Sequence, residues 1–371
     1  MKLESLTLTH LRMPLVNAFE TSFGRITHRE CILVSLRSEG LTGYGECVAD
    51  HDPGYCYETT GTAWHILRDF IAPLLLGQDI VDADDFQRRV EGIRGHQLAK
   101  AGVEMAIWDL LGKRDGKSLR EMLGGERTQV EVGVSIGLQS SPEKLVHAVA
   151  DYVSQGYRRV KIKIKPGRDA GDTSAVRTAF PNLLLQVDAN SAYTLKTSAA
   201  LKPLDDLDLL LIEQPLHEDD IWDHRKLQAE FKTAICLDES IVTPRHARYA
   251  IEMDACRIIN IKPGRLGGLS QGVAVHNLCK ARGMPVWCGG MLETGVGRAS
   301  NLALASLPGF TLPGDISASN RYYMRDITNE RFTLNADSTI NVPSAPGLGV
   351  TVDPSALQAF TLAETSIAPQ S

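Results

Sequence analysis

Hydrophobic and polar positions alternate along the first 50 residues, as in LESLTLTHLRM and ECILVSLRSEGLTGYGE. Alternation places apolar side chains on one face of a strand, and the glycines mark where hairpins turn. From residue 58 to about 125 the apolar positions recur three and four apart, as in WHILRDFIAPLLL, which is the spacing of amphipathic helices. The pattern therefore predicts a small antiparallel sheet followed by helices, an α+β domain over residues 1–125.

Beyond Gly125 the pattern changes to short apolar runs separated by amphipathic stretches. The eight runs are VEVGVSIG, YRRVKIKIKPG, NLLLQVDAN, LDLLLIEQP, AICLDES, CRIINIKPG, MPVWCGG and FTLPGD. They recur at intervals of about 25 residues, the length of one strand-loop-helix-loop unit, and eight such units that close on themselves form a TIM barrel. We therefore predict an α/β fold with a (β/α) TIM-type barrel over residues 126–320. The C-terminal segment, residues 321–371, is expected to return to the N-terminal domain.

Composition and charge limit the class of protein. The chain is 43% hydrophobic and 23% charged, as in ordinary globular proteins, and its 371 residues suffice for one large domain and a smaller companion. The net charge of −6, without a lysine-arginine cluster, argues against a nucleic acid partner. The N-terminus lacks the apolar run of a signal peptide, and no apolar stretch is long enough to span a bilayer. A cytoplasmic homo-oligomer without a membrane partner is expected. The seven cysteines form no Cys-x-x-Cys pair and are expected to be buried thiols.

Three carboxylates end successive predicted strands: Asp188, Glu213 and Asp238. They are spaced 25 residues apart, so each occupies the same place in its repeat and all should meet at the carboxyl end of the barrel, where active sites of this fold lie. Three carboxylates in one confined site repel one another unless protons or a cation neutralise them. Carboxylate oxygens suit Mg²⁺, whereas Zn²⁺ favours His or Cys, which these strand ends lack. We predict a Mg²⁺ site, with Mn²⁺ as a substitute, over the alternative that each carboxylate caps the following helix.

The run VKIKIKPG places three lysines, Lys161, Lys163 and Lys165, on one face of its strand, because side chains alternate. The alternative is a solvated face of an edge strand, but the next strand carries a carboxylate 25 residues later. Near a metal and with little water, an ammonium loses stability relative to the neutral amine, which can then act as a general base. Lys163 is the predicted base.

A further lysine, Lys262, ends a strand four positions further round the barrel than Lys163. The two lysines should therefore face each other across the pocket, on opposite faces of a bound carboxylate substrate. One can remove the α-proton while the other returns a proton on the opposite face, which racemises the α-carbon through an enediolate. Arg265 follows three residues later and could lower the pKa of Lys262, bind substrate or serve structure.

Weaker signals mark other residues near the predicted site. Asn190 and Glu239 follow two of the carboxylates closely and can orient them by hydrogen bonds, although helix capping also explains them. Ser135 near the end of the first run, and Gly290 with Met291 in CGGMLETG, should border the substrate, since glycine lets backbone approach a ligand. The glycine-rich stretches lack the spacing of a dinucleotide site, so no nicotinamide cofactor is predicted.

Six segments together carry a family resemblance: KIKIKPG at 161–167, QVDAN at 186–190, LIEQPL at 211–216, CLDES at 236–240, NIKPGRLGG at 260–268 and WCGGMLETGVGR at 287–298. With them, the chain resembles the enolase superfamily, in its muconate-lactonizing-enzyme-like subgroup, and within it the o-succinylbenzoate synthase / N-acylamino acid racemase family. The resemblance covers essentially the whole chain. It implies that the three carboxylates bind magnesium, that Lys163 and Lys262 are the acid/base pair, and that Lys161 supports Lys163.

The resemblance also implies that the N-terminal domain caps the barrel and closes over substrate. The loop around Phe19 to Gly24 and the stretch near Tyr55 would then select the substrate, with Phe19 as a contact, and the acidic Glu20 leaves that choice open. Two activities are implied: dehydration of a cyclohexadiene carboxylate to o-succinylbenzoate in menaquinone synthesis, and racemisation of N-acylamino acids such as N-succinylamino acids.

Other functions are less well matched. A mandelate-racemase-like enzyme would carry a His on the seventh strand, where this chain has WCGG. A dipeptide epimerase would typically show D-x-D on the last strand, where PGDISAS offers Asp315 alone. A non-catalytic metal-binding homologue would be expected to lose at least one of the five charged strand-end residues, and all are present. The sequence thus favours a lyase or isomerase that acts on a small-molecule carboxylate.

Overall fold

The alternating segment at the start of the chain forms an antiparallel sheet in the computed structural model, which describes residues 1–369. Its strands are β1 (Ser5–Glu20), β2 (Arg25–Ser38) and β3 (Leu41–Cys47), and the last strand of the chain, β13 (Thr361–Ile367), completes the order β13-β1-β2-β3. Leu6 pairs with Leu36 on one side and with Ile367 on the other, and this register aligns apolar side chains on one buried face. The predicted antiparallel sheet is confirmed.

The helical spacing of residues 58–125 corresponds to a layer of helices on this sheet. It contains α1 (Thr60–Ile66), a π-helical turn (Leu67–Ile71), α2 (Ala72–Leu75), α3 (Ala83–Arg89), α4 (Gln97–Asp115) and α5 (Leu119–Leu123). The backbone of α4 lies directly against β3, because glycines on both elements remove the side chains between them. A Cβ atom at Gly45 would lie 2.0 Å from the carbonyl oxygen of Gly102. Any side chain at Gly45 would therefore push the helix off the sheet.

The apolar runs after Gly125 form a curled parallel sheet surrounded by helices. Its seven strands, hydrogen-bonded in chain order, are β5 (Val134–Ile136), β6 (Arg159–Lys163), β7 (Leu184–Asp188), β8 (Ile212–Glu213), β9 (Ile235–Leu237), β10 (Ile258–Ile261) and β11 (Val286–Cys288). The helical segments are α6 (Pro142–Ser154), α7 (Ala170–Ala179), a 3₁₀ segment (Ser198–Asp206), α8 (Ile221–Glu230), α9 (Pro244–Glu252), α10 (Pro263–Leu266), α11 (Leu269–Ala281) and α12 (Gly295–Ala305). The predicted (β/α) barrel beside an α+β domain is confirmed.

The eighth predicted run, FTLPGD, differs from the prediction because it forms no regular strand. It still joins the two edges of the sheet. The Asp315 N–H donates to the carbonyl of Cys288 at the end of β11 (2.9 Å), and the N–H of Gly133, next to β5, donates to the carbonyl of Gly314 (2.7 Å). Pro313 has no N–H to donate, which interrupts a regular ladder at this position. The barrel is thus closed by an irregular segment.

The C-terminal segment contacts both parts of the molecule. Its strand β12 (Thr339–Asn341) pairs with β4 (Gln129–Glu131), which precedes β5, whereas α13 (Pro354–Phe360) leads into β13 on the N-terminal sheet. β12 therefore contacts the barrel, whereas β13 and Gly347, whose N–H donates to the carbonyl of Lys117 (2.9 Å), contact the N-terminal domain. The last two residues of the predicted segment 321–371 lie outside the described residues.

Two further observations bear on the expectations from composition. Within residues 1–369, no helix has both the length and the apolar character that crossing a bilayer requires. The seven cysteines are unpaired thiols, and six of them are buried, while Cys56 is partly exposed.

Two buried glutamates of the N-terminal domain cap helices of the barrel. Glu104 on α4 accepts hydrogen bonds from the N–H groups of Leu269 (2.6 Å) and Ser270 (2.9 Å) at the start of α11. Glu46 on β3 accepts one from the N–H of Thr294 (3.1 Å), just before α12. A carboxylate at a helix N-terminus satisfies free N–H groups and interacts favourably with the helix dipole. These contacts fix the N-terminal domain above the carboxyl ends of the strands.

We expect Glu104→Ala to destabilise the protein strongly. The change removes the acceptor of the α11 N–H groups and of the Trp108 indole N–H (3.0 Å). The loss in unfolding free energy should be about 3 kcal/mol, since one hydrogen bond to a buried charged group contributes roughly 1.5–3 kcal/mol. Guanidinium chloride denaturation measures it, with the exposed Glu91→Ala as control. Equal midpoints for the two variants would contradict the assigned role of Glu104.

Candidate active site

Six charged side chains from neighbouring strands meet at the carboxyl end of the barrel. All six are buried: Lys161, Lys163, Asp188, Glu213, Asp238 and Lys262. The register of the parallel strands explains why they meet, since Lys163 is level with Asp188 and Asp188 with Glu213. The structure thus brings together all the lysines and carboxylates that the repeat spacing singles out.

On one side of the site, two lysines contact two carboxylates. Lys161 Nζ lies 2.8 Å from Glu213 Oε2 and 3.0 Å from Asp188 Oδ2. Lys163 Nζ donates to Asp188 Oδ2 (2.6 Å) and to the amide oxygen of Asn190 (2.6 Å). Asp188 is therefore shared between both ammonium groups.

Asn190 connects Lys163 to Glu239. Its side-chain amide donates to Glu239 Oε1 (2.8 Å), and its backbone N–H donates to Asp188 Oδ1 (3.0 Å). The backbone of Asn190 is left-handed, with φ of +42°, a conformation that Asn tolerates better than most residues. Burial, and then the charges of Asp238 and Asp188, raise the pKa of Glu239 to about 7. Both residues lie where the sequence predicts, around the carboxylates and the candidate base.

On the other side of the site, three groups converge on Asp238. Lys262 Nζ lies 2.7 Å from Asp238 Oδ2, and the Tyr55 hydroxyl donates to Oδ1 (3.0 Å). The Arg265 guanidinium also pairs with Oδ1 and donates to the carbonyl of Ile241 (2.7 Å). Because its donors are engaged in this way, and because Arg265 does not line the cavity, the geometry favours a role in holding Asp238 over direct binding of substrate.

The pKa shifts show how these charges interact. Burial, and then the charge of Asp188, raise the pKa of Glu213 well above its usual range. Burial acts the same way on Asp188, but the two neighbouring ammonium groups outweigh it and lower its pKa. Burial alone would lower the pKa of Lys262, yet the charge of Asp238 outweighs it and the pKa is raised. Arg265 does act to lower the pKa of Lys262, as expected, but the net direction is upward.

The three carboxylates form an all-oxygen donor set. Lysine ammonium groups lie against them, and in residues 1–369 no three His, Cys, Asp or Glu side chains are spaced to hold a metal ion. The chemistry of the donors still fits a hard divalent cation, which prefers carboxylate oxygen. Two buried oxygens nearby, Glu239 Oε2 and Asn260 Oδ1, have no hydrogen-bond partner among the described residues. The site is thus rich in oxygen acceptors, and among the described residues the negative charges of its carboxylates are balanced by lysine and arginine side chains.

A cavity separates the charged residues from two loops of the N-terminal domain. The residues that line it include Phe19, Tyr55, Lys163, Lys262, Gly290 and Met291. The Phe19 ring centroid lies 5.9 Å from Lys163 Nζ, and the Tyr55 ring centroid lies 4.6 Å from Lys262 Nζ. Lys161 is not among the lining residues. The two lysines that reach the cavity therefore come from β6 and from the end of β10, four strands apart, each beside an aromatic ring of the cap.

Two residues do not lie where the sequence analysis expects them. Ser135 on β5 pairs with Lys161 but is buried away from the cavity, and its hydroxyl has no hydrogen-bond partner within residues 1–369. Lys165 does not continue the lysine face, because the chain turns after β6. The Lys165 N–H donates to the carbonyl of Arg168 (3.2 Å), and the Arg168 N–H donates back (2.8 Å).

Sequence reasoning overlooked three buried partners of the site. Asp315 Oδ2 lies 2.6 Å from Lys161 Nζ, Arg159 Nη1 lies 2.5 Å from Asp315 Oδ1, and Asn260 donates to Glu213 Oε1 (2.7 Å). Strand alternation could have revealed two of them, because Arg159 and Asn260 each stand two residues before a lysine of the site and so share its face. The role of Asp315 depends on how the barrel closes, which no local pattern shows.

Comparison with known proteins matches both parts of the chain. The model described as Enolase C-terminal domain-like matches residues 144–356, and that of the mandelate racemase / muconate lactonizing enzyme N-terminal domain matches residues 4–124. An o-succinylbenzoate synthase from Geobacillus stearothermophilus is 48% identical over 360 residues, 97% of this chain and 96% of that protein. An N-succinylamino acid racemase from Thermus thermophilus is 48% identical over 350 residues, 94% and 95% of the two chains. The crystal structure of an enolase superfamily member from Listeria innocua superposes with a TM-score of 0.95 at 42% identity, over 99% of both chains.

Proposed function

Because the chain belongs to the mandelate racemase / muconate lactonizing enzyme family of the enolase superfamily, we propose that it removes the α-proton of a carboxylate substrate, as an o-succinylbenzoate synthase that also racemises N-succinylamino acids. The observation that carries this proposal is that Lys163 and Lys262 reach one cavity from strands four apart. Dehydration needs one acid/base group, whereas racemisation needs one on each face of the substrate.

Lys163 is the proposed base because it lines the cavity, whereas Lys161 does not, and because fewer carboxylates contact it. One carboxylate, Asp188, and one amide oxygen contact Lys163, whereas three carboxylates surround Lys161. In racemisation, the Lys163 amine takes the α-proton from one face and the Lys262 ammonium delivers a proton to the other face of the enediolate. In dehydration, the proton taken by the lysine passes to the departing hydroxide, which leaves as water.

The enzymes of this superfamily typically use a divalent metal, and we propose Asp188, Glu213 and Asp238 as its ligands. Mg²⁺, or Mn²⁺ as a substitute, would supply positive charge to the substrate carboxylate as the α-proton leaves. The residues of this chain would do the rest. Phe19 and Tyr55 would cover the substrate from the cap and restrict the access of water to it.

A dipeptide epimerase is less well supported. Asp315 is buried in ion pairs with Arg159 and Lys161, and Ser317 stands two residues later where D-x-D would place a second carboxylate. Neither Asp315 nor Ser317 lines the cavity. A non-catalytic homologue is also disfavoured, because it would have no need to present two lysines to one cavity.

The remaining expectations belong to the same proposal. Residues 1–125 together with 321–371 would form the capping part, and residues 126–320 the catalytic barrel. A homo-oligomeric state and a cytoplasmic location stay predictions from the sequence.

Proton exchange tests the proposal directly. With MgCl₂ in D₂O, the enzyme should replace the α-proton of N-succinylphenylalanine of either hand and remove its optical activity, followed by ¹H NMR and polarimetry. A parallel assay should detect dehydration to o-succinylbenzoate. EDTA should abolish both reactions, and renewed MgCl₂ should restore them. Exchange and dehydration both at the rate of enzyme-free controls would refute the proposed function.

A further inference from the structure

A buried chain of ion pairs beneath the cavity ends at Lys161. Arg159 Nη1 lies 2.5 Å from Asp315 Oδ1, and Asp315 Oδ2 lies 2.6 Å from Lys161 Nζ. Of the three carboxylates around Lys161, Asp315 is the nearest, because Glu213 lies at 2.8 Å and Asp188 at 3.0 Å. All five residues are buried, so these contacts are shielded from bulk solvent.

The surroundings of Asp315 hold it in one place. Arg159 Nη2 donates to the carbonyl of Pro313 (2.9 Å), and Arg298 Nη1 donates to the carbonyl of Ile316 (2.5 Å). Two fully buried arginines thus fix the backbone on both sides of Asp315. The carboxylate is a rigid anchor at the segment that closes the barrel.

We propose that Asp315 is a positioning residue that keeps Lys161 in place and neutralised when a divalent cation takes Asp188 and Glu213. This inference rests on the proposed function, since it treats Asp188 and Glu213 as metal ligands. Asp315 lines no part of the cavity and is not one of the three proposed ligands, so it stays with Lys161. A buried ammonium without a counter-charge is costly. Without Asp315, cation binding would leave Lys161 in that state, and the cation would bind more weakly.

Asp315→Asn tests this role because it keeps the shape of the side chain and removes its charge. Isothermal titration with MgCl₂ should give a dissociation constant about 10- to 100-fold above that of the wild-type protein, the range found when a partner of metal ligands is lost. The kcat at saturating MgCl₂ should also fall, because Lys161 supports Lys163. A lower melting temperature with unchanged Mg²⁺ affinity would show a purely structural role and overturn the inference.

Arg159→Met is the matched control, since it breaks the same buried ion pair but leaves Asp315 with Lys161. Its Mg²⁺ affinity should stay close to wild type, and a loss equal to that of Asp315→Asn would contradict the inference. In the double variant, which combines Asp315→Asn with Arg159→Met, the affinity for Mg²⁺ should remain as weak as in Asp315→Asn. Recovery to wild type there would mean that the loss in Asp315→Asn came from the unpaired Arg159 and not from Lys161, which also overturns the inference.

The double variant, Asp315→Asn with Arg159→Met, also distinguishes a failure of this inference from a failure to fold and from a failure of the proposed function. It buries no unpaired arginine, so it carries the test if Asp315→Asn alone does not fold. Failure of the wild-type protein to bind Mg²⁺ would refute the proposed ligands and the inference with them. Wild-type binding with unchanged affinity in the double variant would refute the role of Asp315 alone.

Discussion

Lys262→Met will abolish racemisation of N-succinylamino acids and leave α-proton exchange of one enantiomer. Lys163 still reaches the cavity in this variant, so it can remove the α-proton that faces it, exchange it with solvent and return it to the same face. The acid on the opposite face is gone. Racemisation should therefore fall by about 10²- to 10⁴-fold, the usual contribution of a positioned acid or base. ¹H NMR in D₂O measures exchange of each enantiomer, and polarimetry measures racemisation.

The structure provides the controls for this experiment. Asp238 keeps Arg265 and Tyr55 as partners when Lys262 is replaced, so the variant should fold. Lys163→Met should show the mirror result, with exchange of the other enantiomer only. Lys165→Met removes a neighbouring lysine that does not line the cavity and should leave both reactions intact. Exchange of both enantiomers by Lys262→Met would contradict the assignment of one lysine to each face.

The strand-end residues could be predicted from sequence because the barrel is a repeat. A constant spacing of 25 residues means a constant phase in each unit, so Asp188, Glu213 and Asp238 had to converge once the fold was recognised. The lysines followed from alternation along their strands. Alternation alone wrongly placed Lys165 on the same strand face, because the strand ends at Lys163, before the turn at Pro166-Gly167.

Two contacts of the site depend on long-range geometry. Asp315 reaches Lys161 only because an irregular segment completes the barrel, whereas the sequence pattern predicts a regular strand there. The Tyr55 hydroxyl reaches Asp238 only because the cap is docked on the barrel, through contacts such as that of Glu104 with α11. Such contacts join residues more than a hundred positions apart in the sequence, so they cannot be predicted from the local spacing of residues.

Glu213→Gln should eliminate both reactions by removing metal binding. Glu213 is fully buried between Lys161 and Asn260, and its pKa is raised first by burial and then by the repulsion of neighbouring carboxylates, which a cation would relieve. A neutral amide of the same shape is a weaker ligand, and its NH₂ group would face one of the two donors, Lys161 or Asn260. The Mg²⁺ dissociation constant should rise beyond the roughly 100-fold that loss of an outer partner costs. Isothermal titration measures it, and activity should stay absent at high MgCl₂.

Glu239→Gln makes the same isosteric change at a neighbouring buried glutamate and separates ligands from supporting residues. Its oxygen can still accept from Asn190, which holds the amide oxygen against Lys163. Mg²⁺ affinity should therefore change far less than in Glu213→Gln, while the proton exchange rate falls modestly because the site loses a negative charge beside Asp238. Comparable losses of Mg²⁺ affinity in the two variants would mean that Glu239 is itself a ligand, and that the cation lies further toward β9 than the three strand-end carboxylates imply.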